Sequence, residues 1–336
     1  MGRLMPSSLV VGVTHLVQPP FKPEMAALGS DIEVVHFNTR DEAEFDPGEL
    51  QRLDVFLVWT PRITTATIDR LKNCRILVRY GVGYDKIDRQ ALSRAGIAFS
   101  NNPEYGPEDV ADTAMAMLLG LQRKIHEHDW AARFYRDSWQ ENHLSPVHHS
   151  NRCTVGVVGV GRIGISVINR LKPFGYRVLG YDPYISNGLA RAVGITRMPD
   201  LASLFAECDM VTLHCPLTEE SRGMITPELL TLSRPGLILV NTARGHLIQG
   251  LDMIEDGLKS GQLAGVGLDV LPEEPPAPHP LVDAWRRDED WLRGRLVITP
   301  HNAFYSDHSM AECRFQAAET ARLFLAEGVH RNSVPD

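Results

Sequence analysis

Residues 154–164 read TVGVVGVGRIG, an apolar run that meets glycines at 159, 161 and 164. G-x-G-x-x-G spacing is weak by itself. It gains weight here because a short buried-strand pattern precedes it and a helical pattern over 162–172 follows. Each glycine then has its own steric role. Gly159 makes a tight turn, Gly161 admits a pyrophosphate, and Gly164 lets helix pack closely on strand. The helix start at Arg162 and Ile163 offers unpaired N–H groups and a positive dipole end to phosphate. Eighteen residues past Gly164 the second strand ends in GYDP, which places Asp182 to accept hydrogen bonds from adenosine ribose hydroxyls. The same carboxylate repels a 2′-phosphate, and no arginine directly follows it, so NAD is expected rather than NADP.

Working outward, strands are expected over 154–158, 177–181, 210–213, 237–240, 265–268 and 296–298, enough for a six-stranded doubly wound sheet. Upstream, strands are expected over 9–13, 33–37, 55–59, 75–78 and 97–99, with helices between them such as 64–72. The fold class is therefore α/β: two Rossmann-like or flavodoxin-like domains, doubly wound parallel sheets with a cleft between them. Helix 109–124 is apolar around most of its circumference and should be buried between two bodies. The amphipathic segment 308–327 comes after the second sheet is complete, and has nothing to pack on unless it returns to the first domain. Residues 1–103 with 302–336 are thus expected to form the substrate domain, and 104–301 the dinucleotide domain. PEEPPAPHP, residues 272–280, is too proline-rich for regular structure. AWRRDEDWLRGR, residues 284–295, prolongs that connection, and is expected over the rim of the cleft or against a neighbouring subunit.

Composition excludes several classes. The 336 residues carry a formal charge of −8, which argues against nucleic acid as a partner. The five cysteines are odd in number and show no C-x-x-C spacing, so neither a disulfide frame nor a zinc site is expected. No apolar run approaches the roughly 18 residues of a membrane span, and no secretory signal is evident; a cytoplasmic location is the expectation.

Three polar residues stand at the ends of later strands, where open α/β sheets place their ligands. They are Arg244 after LILVNTA, Glu274 after GVGLDVLPE, and His301 after LVITP. A solvated loop arginine, a solvated loop carboxylate and a core histidine would be the bland readings of each alone. Together they suit a 2-keto acid, which needs a cation for its carboxylate and carbonyl and a proton donor as hydride arrives. Arginine offers a planar fork, histidine titrates near neutrality, and a neighbouring glutamate favours the imidazolium.

At these motifs, VGVVGVGRIG, VNTARG, LDVLPEEP and TPH in that order, nearly the whole chain resembles the D-isomer-specific 2-hydroxyacid dehydrogenase family. The resemblance makes Arg244, Glu274 and His301 the catalytic residues and turns Asp269 toward the nicotinamide carboxamide. Within the family, GYDPYISNG, VTLHCPL and TPHNAFYSD look most like the C-terminal binding protein branch, whose members bind NAD(H) and act in animals as corepressors. By that likeness His214, Cys215 and Pro216 line the adenine side, Thr242 and Ala243 lie along the nicotinamide half, and Thr113 touches the phosphates. The RYGVGYD turn would present the N–H groups of Val82 and Gly83 to the substrate carboxylate, with Arg79 close by, although a salt bridge would explain Arg79 equally well. Phe304 stands where that branch has tryptophan, which implies a smaller pocket floor. Phosphite-oxidising relatives carry lysine at the Val82 position and formate-oxidising ones lack the glutamate, so neither activity is expected. The chain stops soon after its last helix and is expected to lack the regulatory domain of longer relatives. DWAARFYRDSW, residues 129–139, is aromatic and amphipathic, and by the resemblance forms an arm that clasps a second subunit in a homodimer. The expected function is NAD-dependent interconversion of a small 2-keto acid and its D-2-hydroxy acid, without a metal. An NAD(H)-sensing scaffold with little turnover is the alternative.

Overall fold

The computed structural model describes residues 9–15, 17–135, 139 and 146–334. Its contacts divide the chain into two units, Met1–Gly106 with Tyr305–Asp336, and Pro107–Phe304. Both boundaries fall three residues later than the sequence reading placed them. The first is set by Pro107, which opens the helix Pro107–Gln122 where the reading began it at 109. Proline suits a first helical position because its missing N–H has no partner there in any case.

Unit 1 is built on strands β1 (Leu9–Thr14), β2 (Ile32–Phe37), β3 (Val55–Val58), β4 (Ile76–Arg79) and β5 (Ala98–Ser100), all parallel, in the order β2-β1-β3-β4-β5. Every residue of β3 is buried, as expected of a strand covered on both faces. The returning helix, Asp307–Glu327, packs on helix Lys22–Leu28 and on β4. One buried ion pair fastens it: the Arg314 guanidinium donates to both oxygens of the fully buried Glu24, which also accepts from Tyr80 Oη at 3.0 Å.

Unit 2 carries β6 (Thr154–Val158), β7 (Arg177–Tyr181), β8 (Thr196–Arg197), β9 (Met210–Leu213), β10 (Leu237–Asn241), β11 (Leu263–Leu268) and β12 (Leu296–Ile298). They form one parallel sheet in the order β12-β11-β10-β9-β6-β7-β8. The sheet therefore has seven strands where the sequence suggested six. The extra strand, β8, is an edge pair of exposed residues, too short to show any pattern. The Pro107–Gln122 helix packs on this sheet, and Gly265 and Gly267 of β11 leave room for Leu121 and Met117.

The 284–295 connection is tied to unit 2. It is anchored on the unit 2 core, with Ala284 and Leu292 buried and Trp285 and Trp291 packed against the cluster. Arg295 fixes it by donating to the carbonyls of Leu258, Leu263, Ala264 and Trp291. Its Gly294 abuts the backbone of Glu127, and the Arg293 guanidinium lies 4.2 Å over the Trp130 ring. The connection thus seats the helix Ile125–Arg133. No helix among the described residues is long and apolar enough to cross a membrane.

Candidate active site

The three glycines after β6 separate by what a side chain would meet. Gly159 has φ +88, and a Cβ there would lie 2.6 Å from Cys215 N. At Gly164 a Cβ would lie 2.0 Å from Gly159 O. At Gly161 it would meet nothing within 4 Å. The outer glycines are therefore demanded by the protein's own packing, whereas the middle one faces open space. Gly161 is also the N-cap of helix Arg162–Leu171, and no side chain caps that helix, so its first N–H groups are available to an anion. Asp182, following β7, is aimed by two backbone donors, Val160 N and Tyr184 N, each at 2.9 Å. Tyr184 in turn donates from its hydroxyl to Glu220, so two carboxylates stand on this side of the turn. Two buried polar atoms on the segments that follow β9 and β10, His214 Nδ1 and Thr242 Oγ1, have no hydrogen-bond partner among the described residues. Open space over glycine, an uncapped helix and orphaned polar atoms fit a dinucleotide. We expect Gly161→Ala to melt near the wild-type temperature and weaken NADH binding more than about tenfold. Gly164→Ala should lose about 1–3 kcal/mol of stability. Thermal melts and NADH fluorescence titrations read both.

His214 is buried, with Nε2 2.9 Å from Thr212 Oγ1, and burial pushes its pKa down to about 3. The ring is neutral at physiological pH. Below pH 6.5 the unfolded chain binds a proton that the folded one refuses, so stability falls as pH drops from 6.5 toward 3. The contribution is up to about 1.4 kcal/mol per pH unit. Replacing His214 with glutamine should flatten that part of the melting-temperature profile. Burial likewise pushes the Cys215 thiol up to about 12, so it stays a neutral thiol on the same turn.

Arg244, Glu274 and His301 follow β10, β11 and β12, three neighbouring strands. Asn241 shapes the first turn: its Nδ2 donates to Arg244 O at 2.8 Å and its Oδ1 accepts from Ala243 N at 3.0 Å. Arg244 Nη1 donates to Ala243 O at 2.6 Å, and the side chain is half-buried. Gly245 follows because a Cβ would lie 2.0 Å from Leu271 C, so this turn rests directly on the segment leading to Glu274. Glu274 Oε1 accepts from Leu271 N at 3.1 Å, and Oε2 lies 2.7 Å from His301 Nδ1.

Asp269 is the first residue after β11. It is 1% exposed, its Oδ1 accepts from Thr299 Oγ1 and Asn302 N, and its Oδ2 accepts from Ala303 N. Its carboxylate thus anchors the loop that carries His301. That loop is demanding, since His301 has φ +53, a left-handed conformation uncommon outside glycine. Thr113 Oγ1 donates to Ala303 O at 3.2 Å.

The remaining candidates are Phe304, Arg79, Val82 and Gly83. Phe304 is the last residue of unit 2 and half-buried. Arg79, Val82 and Gly83 belong to unit 1, at the end of β4 and on the turn after it. Arg79 Nε donates to Gly83 O at 3.0 Å, and Asn101 Nδ2 donates to Val82 O at 2.7 Å, so the turn is braced from both sides. Val82 is exposed. The bracing roles of Asn241 and Asn101, and the bonds by which Asp269 holds the His301 loop, were not anticipated from the sequence. Asn241 had a signal, an amide closing an otherwise aliphatic strand.

Residues 115–303 match the family described as D-isomer specific 2-hydroxyacid dehydrogenase, NAD binding domain. The chain belongs to this family. It is 34% identical over 323 residues to D-3-phosphoglycerate dehydrogenase of Methanocaldococcus jannaschii, an alignment covering 96% of this chain and 59% of that protein. To the enzyme of the same name from Mycobacterium leprae it is 32% identical over 303 residues, 90% of this chain and 54% of the relative. The chain therefore spans less than two thirds of the length of these relatives. Among solved structures, D-lactate dehydrogenase from Aquifex aeolicus, complexed with NAD and lactic acid, superposes with a TM-score of 0.84 at 27% identity, covering 97% of this chain and 100% of that one.

Outside this family's NAD-binding turn, unit 2 holds a cluster whose ligand atoms lie within 4.8 Å of one another, Asp252, Glu255 and His279. It is a helix cap. His279 Nδ1 accepts from Leu281 N at 3.1 Å, so the ring hydrogen sits on Nε2, 3.1 Å from Asp252. A metal at Nε2 would have to displace that hydrogen and its bond to Asp252.

Proposed function

We propose that the chain is an NAD(H)-dependent oxidoreductase that interconverts a small 2-keto acid and its D-2-hydroxy acid, with His301 as general acid and base. One observation carries this reading, the 2.7 Å contact of Glu274 Oε2 with His301 Nδ1. With Nδ1–H given to the carboxylate, Nε2 is left to donate or take the proton. When bound, the nicotinamide supplies hydride to C2 or takes it up. In reduction His301 protonates the oxygen, while the Arg244 guanidinium holds the substrate carboxylate and polarises the carbonyl. Val82 and Gly83 N–H, with Arg79, are assigned to the carboxylate, and Phe304 to the pocket floor. Asp182 and Glu220 support NAD over NADP, since both repel a 2′-phosphate. The named D-lactate dehydrogenase and D-3-phosphoglycerate dehydrogenases support the reaction class.

The homodimer expected of the chain remains part of this proposal. Ile125, Phe134, Tyr135 and Trp139 expose their side chains, consistent with a covered surface; residues 136–138 and 140–145 lie outside the described part. A cytoplasmic location is proposed with it.

The test is NADH oxidation with glyoxylate, hydroxypyruvate, pyruvate and longer 2-keto acids. Turnover of at least one is expected. Tight NADH binding with no turnover of any would favour the scaffold reading of the C-terminal binding protein branch.

A further inference from the structure

We propose that unit 1 carries an anion-recognition subsite, built from Arg40, His15 and Thr60, which selects 2-keto and 2-hydroxy acids whose side chain ends in a second negative charge. It rests on the oxidoreductase reading above and gives that reading a substrate class.

The strand order β2-β1-β3-β4-β5 reverses direction between β1 and β3. Open parallel sheets take ligands outside the carboxyl ends of the strands at such a reversal. His15 directly follows β1, Trp59 and Thr60 directly follow β3, and Arg40 comes from the segment after β2. The three polar residues are joined: Arg40 Nε donates to His15 Nε2 at 2.9 Å, and Thr60 Oγ1 lies 3.4 Å from His15 Nδ1. Since Nε2 accepts, the ring hydrogen is on Nδ1, facing the hydroxyl. Burial first, then the charge of Arg40, lowers the His15 pKa, so the imidazole is a neutral support that orients the guanidinium.

Arg40 is not balanced locally. Among the described residues it forms no ion pair, and its Nη groups have no hydrogen-bond partner. The acids that follow it are engaged elsewhere. Asp41 caps Ala43 N, Glu42 accepts from Thr64 N and Thr67 Oγ1, and Glu44 accepts from Thr39 Oγ1. Along the same carboxyl edge, Arg79 Nη1 donates to Val58 O at 3.3 Å, which brings a second guanidinium to the end of β3. The end of β3, which the Arg79 guanidinium reaches, and the end of β1, which holds His15 and through it Arg40, are one strand spacing apart, about 5 Å. A short acid with charge at both ends suits that separation; an acid with an apolar tail leaves Arg40 without a partner.

The experiment compares kcat/KM for matched pairs on the full chain: oxaloacetate with 2-oxobutanoate, 2-oxoglutarate with 2-oxopentanoate, and phosphohydroxypyruvate with hydroxypyruvate. The wild type should favour the anionic tail by at least about tenfold in at least one pair, and the pair shows whether carboxylate or phosphate is preferred. Arg40→Met should reduce that ratio by about tenfold, and His15→Leu should reduce it in the same direction, with melting temperatures confirming the fold. Equal use of both tails by the wild type, or an equal loss on both in Arg40→Met, overturns the subsite. Turnover of no acid at all fails the oxidoreductase reading instead. Calorimetric titration of glutarate into wild type and Arg40→Met then decides the subsite, and equal binding by the two overturns it.

Discussion

Replacing His301 with asparagine is expected to lower kcat by about 10²–10⁴-fold, the usual contribution of a positioned general acid. Asparagine is chosen because the position has φ +53, which asparagine adopts more readily than most residues. The backbone bonds of the loop, His301 N to Asp269 O at 2.8 Å and the Asp269 carboxylate to Asn302 N and Ala303 N, do not involve the imidazole. Melting temperature and NADH affinity should therefore stay near wild type while turnover collapses. Glu274→Gln should also lower kcat, since it removes the negative charge 2.7 Å from Nδ1. Its effect should nearly vanish on top of His301→Asn, because the two groups act as one unit. A full additional loss in the double variant would mean that Glu274 works independently of the imidazole.

The second large effect is expected at Arg244. Lysine keeps the charge but presents it as a point, without the planar fork that matches a carboxylate. Arg244→Lys should lower kcat/KM by about 10²–10³-fold, comparable to removing one preorganised donor from a developing oxyanion. The turn itself is shaped by Asn241 and by the close approach of Gly245 to Leu271, neither of which uses the guanidinium. Steady-state kinetics beside an NADH titration separates the two: a loss confined to kcat/KM supports the assignment, whereas a parallel loss of NADH affinity makes Arg244 a cofactor contact.

Much of the architecture was visible in the residues because parallel strands buried on both faces are written as short aliphatic runs. VGVV, LILV and VFLV announce themselves, and TVGVVGVGRIG fixes where one of them must turn into a helix. The two-residue strand β8 has no such signature, being an exposed edge that pairs through its backbone alone. The anchoring of the 284–295 connection was hidden for a related reason. Its charged residues dominate the sequence, while its burial depends on a few apolar positions, Ala284 and Leu292, and on Arg295 satisfying distant carbonyls. Arg244, Glu274 and His301 are legible in the sequence as polar residues after strand ends, and the structure brings Glu274 against His301. The anchoring bonds of Asp269 are not legible there, because a carboxylate that accepts from loop N–H groups leaves no signature in the sequence. The cluster of His15, Arg40 and Thr60 comes from three separate segments, and only the order of the sheet joins them.

The most direct test follows the hydride itself, using NADH deuterated at both C4 positions and a 2-keto acid that the wild type turns over. Deuterium should appear once, at C2 of a hydroxy acid of D configuration, and His301→Asn should slow its appearance at least about 100-fold at equal NADH occupancy. Label missing from C2, a product of L configuration, or an unslowed His301→Asn variant would contradict the account.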